Sequence, residues 1–185
     1  MAITSLTVFC GSKSGNDPLF CEHARQAGQL LAENNVTLIY GGGNKGIMGA
    51  VANGALEKGG KVIGIMPGFL AVAENRHTGL TEMIEVADMH IRKRMLYEKC
   101  DAALVLPGGF GTMDELFEML TWNQLNIHNK KIFVLNTSGF YDDLISFLNA
   151  IEKNGFLYSK VMQSITIISS PEELFLATNG ANFHK

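Results

Sequence analysis

The sequence predicts an α/β fold in which helices flank both faces of a single doubly wound parallel sheet. Short segments rich in β-branched and apolar residues alternate with longer amphipathic segments, as strands alternate with helices. Two short segments, AALVL and KIFVL, are continuously apolar, which indicates strands buried on both faces. Such alternation is typical of parallel sheets with right-handed crossovers. The six predicted strands are residues 6–10, 37–40, 61–65, 102–106, 131–135 and 165–168.

The order of these strands places the glycine-rich loops at one edge of the sheet. The first strand follows MAITS, which has no basic flank, so this segment is interpreted as a strand and not as a signal peptide. The second and fourth strands lead into loops rich in glycine. In doubly wound sheets, ligands bind beyond the carboxyl ends of the strands. We therefore expect the loops after the first, second and fourth strands to face one crevice.

Length, charge and composition exclude several classes of protein. A chain of 185 residues is expected to form one domain, residues 1–185. The net charge of −3 does not favour a nucleic-acid polymer as partner. Because no apolar run is long enough to cross a bilayer, we expect no membrane partner and a cytoplasmic location. The spacing of the cysteines and histidines predicts neither disulfides nor a metal site: Cys10, Cys21, Cys100, His77, His90 and His128.

The loop GGGNKGIMG fits a phosphate-binding turn, because Gly41, Gly43 and Gly46 match GxGxxG before a predicted helix. The next strand, KVIGIMPG, contains no acidic residue for a ribose, so NAD binding is disfavoured. Neither glycine loop fits GxxxxGK[ST], which disfavours a nucleotide triphosphatase. The alternative is that these glycines only permit a tight turn and close helix packing.

The segment PGGFGTMDELFEML contains the best predicted anion site. Its glycines bring backbone N–H groups close to a helix N-terminus, and Thr112 adds a hydroxyl donor. Thr112 and Glu115 also fit a capping box, in which the threonine would be the N-cap. Glu115 could therefore be only a cap.

The segment DMHIRKRMLYEK carries three consecutive cations, Arg92, Lys93 and Arg94, on a predicted helix. Because consecutive helical residues point about 100° apart, one or two of them can face a common ligand. Arginine suits a phosphate, since its planar guanidinium donates two parallel hydrogen bonds and stays charged. The alternative is a solvated basic face.

Taken together, these motifs resemble the LOG (Lonely Guy) family, cytokinin riboside 5′-monophosphate phosphoribohydrolases that are often mislabelled as lysine decarboxylases. The resemblance extends from about residue 8 to residue 135. It includes VFCGS, YGGGNKGIMGAVA, GKVIGIMP, MHIRK and PGGFGTMDE, which matches the family pattern PGGxGTxxE.

The resemblance implies a Rossmann-like homodimer that hydrolyses adenine-type nucleoside monophosphates without a cofactor. Arg92 and Glu115 match the catalytic positions of the family. Glu74 matches a substrate-binding position, although the surrounding AVAENRHTG departs from the family pattern. The other residues that match substrate-binding positions are Lys93, Gly109, Phe110, Gly111, Thr112, Met113, Asp114 and Thr121. The glycine loops add Gly108, Gly41, Gly42 and Gly43 as phosphate-binding candidates.

These roles lead to a mechanistic hypothesis. Cleavage of an N-glycosidic bond builds oxocarbenium character on the ribose, which the carboxylate of Glu115 would stabilise. A position in the first helical turn would favour its ionised form. Arg92 would orient the phosphate or the ribose hydroxyls.

Three other functions are considered. A pyridoxal-phosphate decarboxylase needs a lysine for the cofactor, and Lys45 or Lys93 could supply it. A non-catalytic nucleotide or molybdopterin carrier would use the same glycine loops for phosphate. A structural or regulatory subunit would present the helix at residues 113–125 to a partner.

Overall fold

The computed structural model describes residues 3–71, 75–157 and 161–176. Its seven strands are β1 (Ser5–Phe9), β2 (Thr37–Tyr40), β3 (Val62–Pro67), β4 (Glu82–Val86), β5 (Ala102–Val105), β6 (Lys131–Leu135) and β7 (Ile165–Ile168). Its helices are α1 (Pro18–Glu33), α2 (Gly46–Glu57), α3 (Met89–Glu98), α4 (Phe110–Gln124), α5 (Asp142–Lys153) and α6 (Glu173–Leu176). Short 3-10 turns cover Gly68–Leu70, Thr137–Gly139 and Val161–Ser164.

The seven strands form one parallel sheet in the order β4-β3-β2-β1-β5-β6-β7. The predicted doubly wound α/β fold is therefore confirmed. The direction of winding reverses between β1 and β5, which is the position where such sheets bind ligands. No helix among the described residues has the length and the apolar character that a membrane crossing requires.

Side chains of the central strands alternate between two cores, one on each face of the sheet. In β5, Ala102 and Leu104 pack with α1 and α2, whereas Ala103 and Val105 pack with α3, α4 and α5. This period of two follows from the pleat of a strand. Both cores are apolar, as the continuously apolar strand sequences predict.

The sequence analysis missed one strand, β4, at the edge of the sheet. Its residues EMIEV are exposed or half-buried, with Glu82 and Glu85 exposed. An edge strand has one neighbour and is less covered by helices, so it lacks the apolar run that identifies the central strands. The other six strands lie within two residues of their predicted ends.

Helices α1 and α2 pack through glycine. A Cβ atom on Gly28 would lie 2.1 Å from the carbonyl oxygen of Val51, and one on Gly54 would lie 2.1 Å from that of Arg25. The backbones of the two helices are therefore in direct contact. This close packing holds α2, and the loop that precedes it, against the sheet.

The substitution Gly28→Ala is expected to lower the free energy of unfolding by about 2 kcal/mol, because the added methyl group overpacks the helix contact. This loss should appear although alanine favours a helix over glycine by about 1 kcal/mol. Urea unfolding measures the change. Gly111→Ala in α4 is the matched control, since its Cβ would meet no atom within 4 Å. Equal stability of Gly28→Ala and the wild type would contradict the packing argument.

Candidate active site

The ends of β1 and β5 approach each other closely at the reversal of winding. The amide of Gly11 donates to the carbonyl oxygen of Pro107 at 3.0 Å. A Cβ atom on Gly11 would lie 3.2 Å from the Cα of Gly108, and one on Gly108 would lie 2.1 Å from the hydroxyl oxygen of Thr112. The loop after β1 therefore lies directly against the start of α4.

A crevice of about 630 Å³ opens at this point. It collects residues from the loop after β1, the first turn of α2, the turn after β3, helix α3, and the β5–α4 junction. Its described lining is largely apolar, apart from a small group of polar and charged side chains. That polar group comprises Ser12, Lys13, Arg92, Thr112, Asp114 and Glu115.

Helix α4 begins at the edge of this crevice with backbone amides that have no acceptor within the helix. Its N-cap is Gly109, and no side chain of the described residues caps it. The first intrahelical bond is donated by the amide of Met113 to the carbonyl oxygen of Gly109 at 3.1 Å. The amides of Phe110, Gly111 and Thr112 precede that bond and have no acceptor within the helix. Amides at a helix start of this kind can donate to an anion.

The predicted capping box is wrong. The helix begins at Phe110, so Thr112 is its third residue and not its N-cap. Glu115 consequently lies in the second turn, where the helix dipole contributes little. Its side chain is only 8% exposed, although it lines the crevice. Capping therefore does not explain why a carboxylate stands at position 115.

Arg92, on helix α3, is buried and lines the same crevice. Helix α3 begins after Asp88, whose carboxylate accepts from the amide of Ile91 at 2.8 Å. Arg92, one residue later, is 4% exposed, and its Nη2 donates to the carbonyl oxygen of Gly41 at 3.4 Å. The guanidinium thus joins α3 to the glycine loop after β2. A solvated basic face does not describe this arginine, whereas Arg94 is exposed.

Lys93 is not part of the described lining of the crevice and pairs with two carboxylates of α4. Its Nζ lies 3.1 Å from the carboxylate of Asp114 and 3.0 Å from that of Glu118. Partial burial acts to lower the pKa of Lys93, but hydrogen bonds to Glu118 and Asp114 outweigh it and raise the pKa. The hydroxyl of Tyr97 donates to the same Glu118 at 2.7 Å. These contacts bind α3 to α4.

The crevice brings together only part of the predicted site. Eight predicted residues line it: Arg92, Gly108, Gly109, Phe110, Gly111, Thr112, Asp114 and Glu115. Six others lie outside its described lining: Lys93, Met113, Thr121, Gly41, Gly42 and Gly43. Glu74 falls outside the described residues.

Sequence reasoning missed the apolar lining. Phe69, Leu70 and Met89 come from the turn after β3 and the start of α3, and Phe20 and Phe140 come from α1 and the segment before α5. Of these side chains, Met89 alone belongs to a motif, MHIRK. Phe69 is 65% exposed and Phe140 is 43% exposed, which is a sign of a ligand surface that is visible only in the fold.

Comparison with known proteins identifies the family. A family model described as "possible lysine decarboxylase" matches residues 48–177. A cytokinin riboside 5′-monophosphate phosphoribohydrolase of Rhodococcoides fascians is 43% identical over 83% of this chain and 78% of that protein. The chain belongs to the LOG family. The predicted family resemblance is thereby confirmed. A second LOG-family relative of the same name, from Arabidopsis thaliana, is 41% identical over 90% of this chain and 77% of that protein.

Solved structures extend the LOG-family comparison to other proteins with the same fold. The molybdenum cofactor binding protein of Rippkaea orientalis has a TM-score of 0.74 and 26% identity, covering 97% of this chain and 98% of that one. A molybdenum cofactor carrier protein of Chlamydomonas reinhardtii has a TM-score of 0.71 and 19% identity, covering 95% of each chain. The second likeness concerns the fold alone.

His77 holds the segment after the β3 turn against the glycine loop. Its amide donates to the carbonyl oxygen of Gly42 at 3.0 Å. Its Nδ1 accepts from the amide of Gly79 at 3.0 Å, so Nε2 carries the proton and faces the side-chain oxygen of Asn53 at 3.1 Å. A second proton on this ring would oppose the Gly79 donor. The contact therefore requires a neutral histidine.

Acidification is expected to destabilise the protein through His77. Burial lowers the pKa of His77 below its ordinary value of 6.5. At pH values between the folded-state and the unfolded-state pKa, the unfolded chain therefore binds more protons than the folded chain. The free energy of unfolding therefore decreases as the pH falls below about 6.5. Thermal melting between pH 7.5 and 5 should show this decrease, and His77→Gln should show less of it. His128→Gln should likewise show a smaller decrease, because burial also lowers the pKa of His128. Identical pH profiles for wild type and His77→Gln would exclude this role.

Proposed function

We propose that this protein hydrolyses the N-glycosidic bond of a nucleoside 5′-monophosphate. Water supplies a hydroxyl to the anomeric carbon and a proton to the base, so the products are ribose 5-phosphate and a free purine-type base. The observation that carries the proposal is a buried arginine and a buried carboxylate, Arg92 and Glu115, which line one crevice beside an uncapped helix start. Relatives named as phosphoribohydrolases, about 40% identical over most of the chain, support it.

The start of α4 is proposed to bind the 5′-phosphate. The amides of Phe110, Gly111 and Thr112 have no acceptor in the helix, and Gly109 carries no side chain that could replace one. Phosphate oxygens satisfy such donors, and the helix dipole favours their negative charge. This assignment places the sugar deeper in the crevice, one helical turn along α4.

Glu115 is proposed to act on the sugar. It follows the phosphate-binding amides by one turn of α4 and lines the same crevice. When the bond between the base and the anomeric carbon breaks, positive charge develops on the ribose. A carboxylate at this depth stabilises that charge or removes a proton from the attacking water.

Arg92 is proposed to orient the substrate from helix α3. Its guanidinium is 4% exposed and is held at the glycine loop, so it offers donors in one fixed direction. A planar guanidinium binds two oxygens at once, as a phosphate or a pair of ribose hydroxyls provides. Fixed orientation of this kind lowers a barrier by several kcal/mol. The apolar side chains of Phe69, Leu70 and Met89 then offer a surface for the flat base.

The alternatives find less support at this site. Neither lysine nominated for a pyridoxal-phosphate decarboxylase belongs to the described lining of the crevice: Lys45 is exposed, and Lys93 is ion-paired with carboxylates of α4. A molybdopterin carrier is favoured by the 26% identical binding protein of Rippkaea orientalis. The phosphoribohydrolases are closer in sequence, however, and a carrier has no evident need for a buried Glu115.

Glu115→Gln is expected to lower kcat by at least about 100-fold, because the variant keeps the size of the side chain but loses its charge. Wild type and variant are incubated with AMP and with isopentenyladenosine 5′-monophosphate, and the released base is followed by liquid chromatography. Glu118→Gln is the matched control: it removes a carboxylate from the same helix, outside the crevice, and should retain most of the activity.

Melting temperature and AMP binding accompany this assay, so that a misfolded variant is recognised. Equal losses in both variants would exclude a special role for Glu115. Absence of base release by well-folded wild type would contradict the hydrolase proposal for these substrates. AMP binding without turnover would then favour the carrier.

We also propose that the protein acts in the cytoplasm as the homodimer that the resemblance implies. Helices α4 and α5 form an apolar groove that includes Phe117, Thr121 and Leu148, and Leu125 and Phe147 nearby are more than half exposed. Thr121 matches a substrate-binding position of the family but lies on this groove and outside the crevice of its own chain. A second copy of the chain packed on this groove would explain why a substrate-binding position of the family lies outside the crevice of its own chain.

Light scattering after size exclusion is expected to give twice the chain mass of 20.2 kDa. Leu125→Lys should shift this mass towards that of one chain, because a buried interface tolerates an unpaired charge poorly. Leu19→Lys on α1, at the opposite face of the sheet, is the control. A wild-type mass of one chain would refute the dimer.

A further inference from the structure

The guanidinium of Arg92 lies directly on Gly41. A Cβ atom added to Gly41 would stand 2.1 Å from Nη2 and 3.3 Å from Cζ of Arg92. A Cβ atom essentially never lies within 3.0 Å of another non-bonded heavy atom, so an alanine and the observed guanidinium position exclude each other. After Arg92, the nearest atom is the terminal methyl carbon of Met48 at 3.4 Å, an ordinary contact with the flexible end of a side chain.

The backbone conformation at position 41 does not require a glycine. Positive φ occurs at its neighbour Gly42, at 84°, whereas Gly41 is not among the residues with positive φ. An alanine could therefore adopt the backbone conformation at position 41. The space taken by the guanidinium is the one requirement that excludes it.

The loop around Gly41 is held in place, so it cannot retreat from an added methyl group. The hydroxyl of Tyr40 donates to the carbonyl oxygen of Gly43 at 3.0 Å. The amide of Asn44 donates to the carbonyl oxygen of Asn75 at 2.8 Å, and the amide of His77 donates to that of Gly42 at 3.0 Å. A Cβ atom at position 41 must therefore displace the arginine. Because Arg92 lines the crevice, the displaced guanidinium is expected to move into it.

We propose that Gly41 is a positioning residue for Arg92: because Gly41 has no side chain, the guanidinium can lie against the loop. We propose also that Gly41 does not itself bind the substrate phosphate. The inference rests on the proposed role of Arg92 in substrate orientation. The carbonyl oxygen of Gly41 accepts from Nη2, and its bare Cα lets the guanidinium lie flat on the loop. A displacement of about 1 Å at such a group can cost a factor of about 100 in rate.

The test is a double-mutant cycle between positions 41 and 92. Gly41→Ala is expected to lower kcat roughly 10- to 100-fold, with a smaller change in KM, because the orienting group is shifted and not removed. In the Arg92→Ala background the added methyl group has room, so Gly41→Ala should change AMP affinity and melting temperature little. The two substitutions are then strongly non-additive.

Gly42→Ala is the control for a purely structural effect. Its positive φ, 84°, strains any side chain whether or not the arginine is present. Its loss of melting temperature should therefore be the same in the wild-type and Arg92→Ala backgrounds. The proposal is overturned if Gly41→Ala behaves like this control, or if it leaves kcat unchanged.

The melting cycle also separates this inference from the proposed function. If the wild type releases no base, the hydrolase proposal fails. The melting temperatures of the single and double variants still test whether Gly41 determines the position of Arg92. If base is released but the effects of the two substitutions are additive, the hydrolase proposal stands and the positioning role of Gly41 fails.

Discussion

The candidate site depends on the close approach of two backbone segments where the winding of the sheet reverses. Gly11 and Gly108 meet there without side chains between them, and Thr112 covers Gly108. Because these contacts involve backbone, they set the position of the β1 loop relative to the start of α4 with little freedom. The donors of α4, and Glu115 one turn further, acquire a defined direction into the crevice from this constraint.

The charged residues of helix α3 are divided between the two sides of the helix. Arg92 is buried at the glycine loop, whereas its neighbour Lys93, which is not in the described lining, is bound by Asp114 and Glu118 of α4. The ion pairs of Lys93 hold α3 against α4, and they leave Arg92 as the cation of α3 that lines the described crevice. An ion-paired cation and a crevice-lining cation thus occupy consecutive positions, because successive helical residues point about 100° apart.

Local patterns identified most of the fold and half of the site. Apolar runs located six of the seven strands, and glycine motifs located the loops around the crevice. The edge strand β4 was missed because its exposed glutamates interrupt the apolar pattern. The start of α4 was placed too late because a Thr-x-x-Glu spacing imitates a capping box, whereas Gly109 is the N-cap. Local preference cannot distinguish a glycine N-cap with a bound anion from a threonine N-cap with none.

The sequence by itself determined the α/β class, the parallel sheet, the glycine loops, the LOG-family motifs and the identities of Arg92 and Glu115 as candidates. These properties depend on periodicity and spacing within about 15 residues, which local physics controls. Only the tertiary structure decided that Arg92 lies on Gly41, 51 positions earlier in the chain, that Lys93 pairs with carboxylates of α4, and that apolar side chains from distant segments line the crevice. The physical reason is that strand order and helix packing, which bring distant residues into contact, are collective properties of both cores and are encoded by no single segment.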